Sequence, residues 1–213
     1  MIRCVVLDFD GTVVLSNDIK REGFFAVVSV IPDGGSRMVS ILSNPPGDRY
    51  AIFDRFAAET GTSSFDLLDG YSNWCEERIL QCPERHGAER LILALRAKGI
   101  KVHLNSATPT THLRSIVARR FGMDYFDGVY GGHGEKAENL KAIIALEAIR
   151  PDQLVMIGDG VDDRDAANIM GCRFIGVPDG TLASADYGEP LVGDFDHLWS
   201  HLLNGADDNL DRE

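Results

Sequence analysis

The chain has 213 residues, 44% of them hydrophobic and 25% charged, and its formal net charge is -12. That length allows a substantial buried core with room for an inserted subdomain. So negative a balance leaves no basic field to neutralise phosphates or anionic headgroups, which excludes broad nucleic-acid or membrane-surface binding.

Met1 to Arg3 lead directly into Cys4-Val5-Val6-Leu7, too short an apolar run for a signal peptide. No run approaches the roughly 20 apolar residues that span a bilayer. The expected location is the cytoplasm. Cys4, Cys75, Cys82 and Cys172 are scattered, without a CxxC pair or a Cys/His cluster. They are expected to be buried free thiols in a reducing compartment rather than zinc ligands or disulfides.

In chain order, Cys4 to Leu7 reads as a strand buried on both faces, stopped by Asp8-Phe9-Asp10-Gly11-Thr12. The segment 15–83 then lacks any buried strand. It predicts helices over about 18–30, 49–60 and 65–81, punctuated by loops at Pro32-Asp33-Gly34-Gly35-Ser36 and Asn44-Pro45-Pro46-Gly47. From Ala88 the pattern alternates. An amphipathic helix to Lys98 precedes a strand over 100–104 that ends at Asn105-Ser106, and a helix from Pro109 to Phe121 buries Leu113, Ile116 and Val117. A weak strand at Gly128-Val129-Tyr130 leads to a helix over 137–149 with Leu140, Ile143, Ile144 and Leu146 on its apolar face. Strands at 154–157 and 172–177 flank a helix at 163–170.

This alternation predicts an α/β fold, a doubly wound, Rossmann-like parallel sheet with a small inserted α-helical cap domain. The expected division is a catalytic core at 1–14 and 84–203, the helical insert at 15–83 and an acidic, disordered tail at 204–213.

Functional groups in such a sheet collect outside the carboxyl ends of the strands. Those ends deliver Asp8, Asp10, Ser106 and Asp159, with Asp163 behind and Lys136 just before a helix. Several carboxylates in one crevice call for a bound hard cation, and all-oxygen ligands suit magnesium. The parts fit phosphoryl transfer. One carboxylate attacks phosphorus, a second two residues on moves the proton, and a lysine and a hydroxyl hold the phosphoryl oxygens. The turn at Gly11 lets the backbone double back, so that both aspartates and the Asp10 carbonyl approach one metal.

These residues resemble the haloacid dehalogenase superfamily of phosphatases. Asp8-Phe9-Asp10-Gly11-Thr12 is similar to its DxDGT motif, Ser106 to the second, Lys136 to the third, and Gly158-Asp159-Gly160-Val161-Asp162-Asp163 to its GDxxxD motif. The resemblance implies Asp8 as nucleophile and Asp10 as general acid and base. It implies Mg2+ on the carboxylates of Asp8 and Asp159 and the main-chain carbonyl of Asp10. Ser106 and Lys136 would bind the phosphoryl group, with Gly11 and Asn105 beside them, and Asp163 would support metal and lysine. The substrate would be a small phosphorylated metabolite, with no nucleic acid and no membrane involved. The insert resembles the helical cap of phosphoglycolate phosphatase-like and phosphoglucomutase-like members. The chain departs from the family's usual pattern at the third motif, with Ala137 after Lys136, at the second, with Asn105 before Ser106, and at Ser16-Asn17 after the first strand.

Rivals differ in specific residues. Dehalogenation of carbon does not keep an Asp at the position of Asp10, and a phosphonatase needs a cap lysine, for which only Lys20 is available. A phosphotransferase or phosphomutase shares every core residue and stays open. A receiver-type signalling domain uses similar groups but is shorter and has no helical insert. For the far end of the substrate the candidates in the cap are Arg49, then Lys20 and Arg21.

Overall fold

A computed structural model of the chain describes residues 1–132, 134, 136–179 and 193–204. β1 (Cys4–Leu7) is followed by four helices, α1 (Asn17–Val28), α2 (Gly34–Ser43), α3 (Arg49–Thr60) and α4 (Ser64–Ile79). The chain then runs through α5 (Ala88–Ala97), β2 (Lys101–Ser106), α6 (Thr110–Arg120), β3 (Gly128–Gly131) and α7 (Lys136–Leu146). β4 (Leu154–Gly158), α8 (Val161–Met170), β5 (Arg173–Gly176) and α9 (Phe195–Asn204) complete it. Of the expected tail, Asn204 closes α9, and 205–213 lie outside the described residues.

The chain divides into two compact units, Met1–Leu15 with Pro83–Glu213, and Ser16–Cys82. In the first, all strands are parallel and ordered β3-β2-β1-β4-β5, an α/β doubly wound sheet. That order also differs from the 2-1-3-4-5 arrangement of receiver-like domains. Cys4, Val6, Leu154 and Met156 turn one face of the sheet toward Leu140 and Ile143 of α7 and Ala166 and Ala167 of α8. Strand alternation sends Val5 and Leu7 to the opposite face, and α5 packs against β2 and α9. The apolar strands are buried because both faces are covered, which is why they read as continuous hydrophobic runs.

One expected core position is not in the core. Leu146 ends α7 and is 65% exposed, whereas Leu140 and Ile143 are fully buried and Ile144 is partly so. Leu146 is the last residue of α7, three past the buried Ile143 and two before Ala148, whose φ is 49°. Burial also sets the cysteines. All four are buried, and burial pushes Cys4 up to about 12 and Cys172 up to about 11.

The joint with the inserted segment is built of main-chain bonds. Leu15 N donates to Pro83 O (2.9 Å), and Val14 and Glu84 form an antiparallel bridge. Beside it, Arg85 is 7% exposed. Its guanidinium donates to the carbonyls of Gly11 and Thr12 (3.0 Å for Thr12) and of Gly193 (3.3 Å), and it pairs with Asp179 at 3.6 Å.

In the inserted unit, Ser16–Cys82, α1 packs against α4 and α2, and α3 against α4. Phe24, Phe53 and Tyr71 form an aromatic triangle with centroids 4.9–5.4 Å apart. Asp48 caps α3 by accepting from Tyr50 N and Ala51 N, and Ser63 caps α4 by accepting from Asp66 N. The helix α2 was not expected, because Pro32-Asp33-Gly34-Gly35-Ser36 reads as a loop. It begins at Gly34, where a side chain would run into the Val28 carbonyl, and it buries Met38 and Ile41.

The α7 assignment predicts that Ile143→Ala lowers stability to urea by about 2–5 kcal/mol, whereas Leu146→Ala changes it by about 0.5 kcal/mol or less. Arg85→Met, which removes the guanidinium donor to the carbonyls of Gly11, Thr12 and Gly193, is expected to cost about 1–3 kcal/mol in the same measurement.

Candidate active site

The sheet register builds the site. Leu7 lies beside both Leu104 and Ile157, so the residues that follow, Asp8, Asn105 and Gly158, emerge level at the carboxyl edge. Winding reverses between β1 and β4, and Asp8 stands at that switch point. Its N–H donates to Ile157 O (2.8 Å), which extends the β1–β4 pairing one residue and fixes the base of the side chain.

After Asp8 the chain coils back through a tight turn. Val13 N and Val14 N both donate to Phe9 O, and Gly11, at φ 79°, donates its N–H to Val14 O (2.7 Å). Only glycine adopts that backbone without strain. Phe9 is fully buried and meets Phe121 edge-on, so it anchors the loop from below. Gly11 therefore serves as the pivot of the turn, and its main-chain donor is spent inside it.

Lys136 opens α7, is 7% exposed, and reaches three carboxylates. Its Nζ lies 3.0 Å from Asp8 Oδ1, 2.5 Å from Asp163 Oδ1 and 3.0 Å from Asp162 Oδ2. The lysine's own backbone is held from β2, because Asn105 Nδ2 donates to the Lys136 carbonyl (2.9 Å) and Asn139 Nδ2 donates to Asn105 Oδ1 (3.0 Å). Asn105 thus positions the lysine, in place of the phosphate contact expected for it.

Asp163 is fully buried in the first turn of α8, and its Oδ2 accepts from Gly160 N (3.0 Å). Gly158 makes room for it, since a Cβ there would overlap the Asp163 carboxylate. Asp159 is 5% exposed, and its Oδ1 accepts from the Thr12 hydroxyl at 3.4 Å. Ser106, at the end of β2, is 1% exposed and its Oγ accepts from Thr108 N (3.1 Å). Thr108 Oγ1 donates in turn to Asp10 Oδ2 at 2.6 Å.

Burial disfavours the charged form of Asp8 and pushes its carboxyl well above the usual range, against the pull of Lys136, while Asp163, Asp159 and Asp10 push it the same way as burial. Asp163 is pushed up to about 7 by burial, with Lys136 opposing. For Lys136, burial acts downward, but Asp163, Asp8 and Asp162 outweigh it and hold the ammonium firmly charged. One ammonium does not balance the carboxylates around it. One ligand oxygen each from Asp8, Asp159 and Asp163 lie within 4.8 Å of one another. This all-oxygen, negatively charged group fits a hard divalent cation.

The structure therefore brings together Asp8, Asp159, Asp163 and Lys136, and joins Asp10 to Ser106 through Thr108. Arg49, Lys20 and Arg21 belong to the inserted unit. Arg49 begins α3 with its guanidinium 5.6 Å from the Tyr50 ring centroid, the Lys20 carbonyl accepts from Tyr71 Oη (3.1 Å), and Arg21 pairs with Asp18. Sequence reasoning gave no role to Thr12, Arg85, Thr108 or Asp162. Thr12 and Asp162 carried a local signal, as residues inside the first and fourth motifs.

No described helix is long and apolar enough to cross a membrane. A comparison with curated protein sequences found no match. Among solved structures, the chain is similar to a mutant of CbbY from Rhodobacter sphaeroides in complex with xylulose-(1,5)bisphosphate. The TM-score is 0.75 at 18% identity, over 93% of this chain and 96% of that one. It is similar to the same degree, with TM-score 0.75 and 18% identity, to a protein described as a predicted phosphoglycolate phosphatase from Haemophilus somnus, over 94% of this chain and 98% of that one. These likenesses are of fold. The model of the haloacid dehalogenase-like hydrolases, by contrast, matches residues 2–171, across β1, the insert and the motifs through α8. The chain is an enzyme and belongs to the haloacid dehalogenase-like hydrolases.

Proposed function

We propose that the protein is a Mg2+-dependent phosphatase that hydrolyses a small phosphomonoester through an aspartyl-phosphate on Asp8. The observation that carries this reading is the buried contact of Lys136 Nζ with Asp8 Oδ1 (3.0 Å) inside a ring of carboxylates. A nucleophilic carboxylate beside a fixed ammonium suits attack on a dianionic phosphoryl group better than attack on carbon.

In the first half-reaction an Asp8 carboxylate oxygen forms a bond to phosphorus as the bond to the leaving oxygen breaks. Asp10 gives that oxygen its proton. In the second half, Asp10 takes a proton from water as the water attacks phosphorus. The bond to Asp8 breaks, releasing inorganic phosphate and restoring both carboxyl groups. Lys136 stabilises the charge on the equatorial oxygens, and Ser106 orients them. Asp163 holds the lysine, because both of its oxygens are engaged by Lys136 and Gly160 N. The carboxylates of Asp8 and Asp159 and the main-chain carbonyl of Asp10 would hold Mg2+, which supplies charge neutralisation and orientation of the phosphoryl group.

The substrate class is supported by likeness, since one similar structure holds a sugar bisphosphate and another is described as a predicted phosphoglycolate phosphatase. The inserted helical unit is read as the cap that selects the substrate, with Arg49 and Lys20 as its candidate contacts. A cytoplasmic location is the reading that the scattered, buried cysteines support.

A screen of phosphorylated metabolites with Mg2+ should find at least one substrate, and Asp8→Asn should reduce its turnover by about 1000-fold or more. Asp10→Asn is expected to lose about 100- to 10,000-fold. Full activity in Asp8→Asn would sink the proposal. Mg2+ at about 100 times its Kd should stabilise the folded protein by about 2.7 kcal/mol in thermal or urea unfolding. Asp159→Asn should abolish that gain, and a metal-independent unfolding curve for the parent protein would exclude a resident cation.

A further inference from the structure

We infer that Thr108 is a positioning residue for Asp10, holding its carboxylate in the orientation from which the proton is exchanged. The inference rests on the reading of Asp10 as general acid and base.

Asp10 sits in the loop after β1, half-buried, on a side chain with several accessible rotamers. A general acid works only within hydrogen-bond reach of the atom it protonates, and a displacement of about 1 Å can cost about 100-fold in rate. The rotamer therefore matters, and Thr108 is a group that holds it. Thr108 Oγ1 contacts Asp10 Oδ2 at 2.6 Å, and Thr108 is 4% exposed, so water competes poorly for the bond.

Thr108 is itself well fixed. Its N–H donates to Ser106 Oγ (3.1 Å), its carbonyl accepts from Gly132 N (3.1 Å), and Pro109 follows it. A β-branched side chain in such a setting has little χ1 freedom. The hydroxyl can donate a single proton, and a carboxylate oxygen can only accept it. Oδ2 is thereby kept as the acceptor of Thr108. Through the same residue, Asp10 is tied to Ser106, so the proton carrier and a phosphoryl contact move as one unit.

The test compares Thr108→Val, which removes the hydroxyl at nearly constant shape, with Thr108→Ser, which keeps it. The readout is the transient-phase rate constant for phosphoryl transfer to Asp8, which does not depend on the fraction of protein folded. Two probes separate the roles. Nitrophenyl phosphate releases a stable anion, whereas the phenolate from phenyl phosphate has a conjugate acid of pKa about 10, as in tyrosine, and needs the proton. Thr108→Val should lose about tenfold or more with phenyl phosphate and about threefold or less with nitrophenyl phosphate, and Thr108→Ser should recover most of the loss. In Asp10→Asn, adding Thr108→Val should have no further effect, because the residue acts through the carboxylate.

Equal losses on both probes, additivity with Asp10→Asn, or parent-like rates in Thr108→Val would each overturn the inference. If Asp8→Asn is inert while Thr108→Val behaves as the parent, only the role of Thr108 falls. If Asp8→Asn is fully active, the phosphatase reading falls and takes this one with it.

Discussion

The site depends on one buried ammonium. Lys136 ties together the end of β1, through Asp8, and the start of α8, through Asp162 and Asp163, while itself opening α7. Charges taken this far out of water are tolerated only in close, well-bonded groups, and removal of one partner leaves the others uncompensated. Several otherwise unrelated details answer to that constraint. Asn105 grips the Lys136 carbonyl, Gly158 yields space to the Asp163 carboxylate, and Gly160 N satisfies the oxygen of Asp163 that the lysine does not hold.

The cluster still carries more negative than positive charge, and this imbalance gives the site its chemistry. Asp8 and Asp159 face each other across the switch point of the sheet, with Arg85 behind them, bonded to the loop carbonyls that separate Asp10 from Val13. Arg85 is pulled down by burial and held up by Asp179 and Asp159, so its charge also answers the acidic centre. A protein that needed these carboxylates for stability alone would be better served by apolar residues of similar volume. The proposed cation and phosphoryl group would account for the arrangement.

Much of the site was legible because a doubly wound sheet announces itself. Each strand buried on both faces is a short apolar run, and the polar residue that ends it falls at the carboxyl edge. That rule located Asp8, Ser106 and Asp159, and the family resemblance supplied their roles. Contacts between distant side chains were not legible. Thr108 and Asp10 are 98 residues apart, and Arg85 lies 73 residues from Thr12, so nothing local marks either. Helix α2 was hidden for the opposite reason, because glycine and proline at its start are strong local loop signals that tertiary packing overrode. The face of α7 was misjudged at its last turn, where periodicity continues in the sequence but Leu146 is exposed.

The inserted segment departs and returns through Leu15 and Pro83, two residues bound to each other by a single main-chain hydrogen bond. The sheet therefore sees only a hairpin whose tip has been stretched, and the number of residues in that tip enters its stability through a slowly varying closure entropy. The insert can therefore lengthen or shorten at a slowly growing entropic cost, while the carboxylates and the lysine keep their spacing.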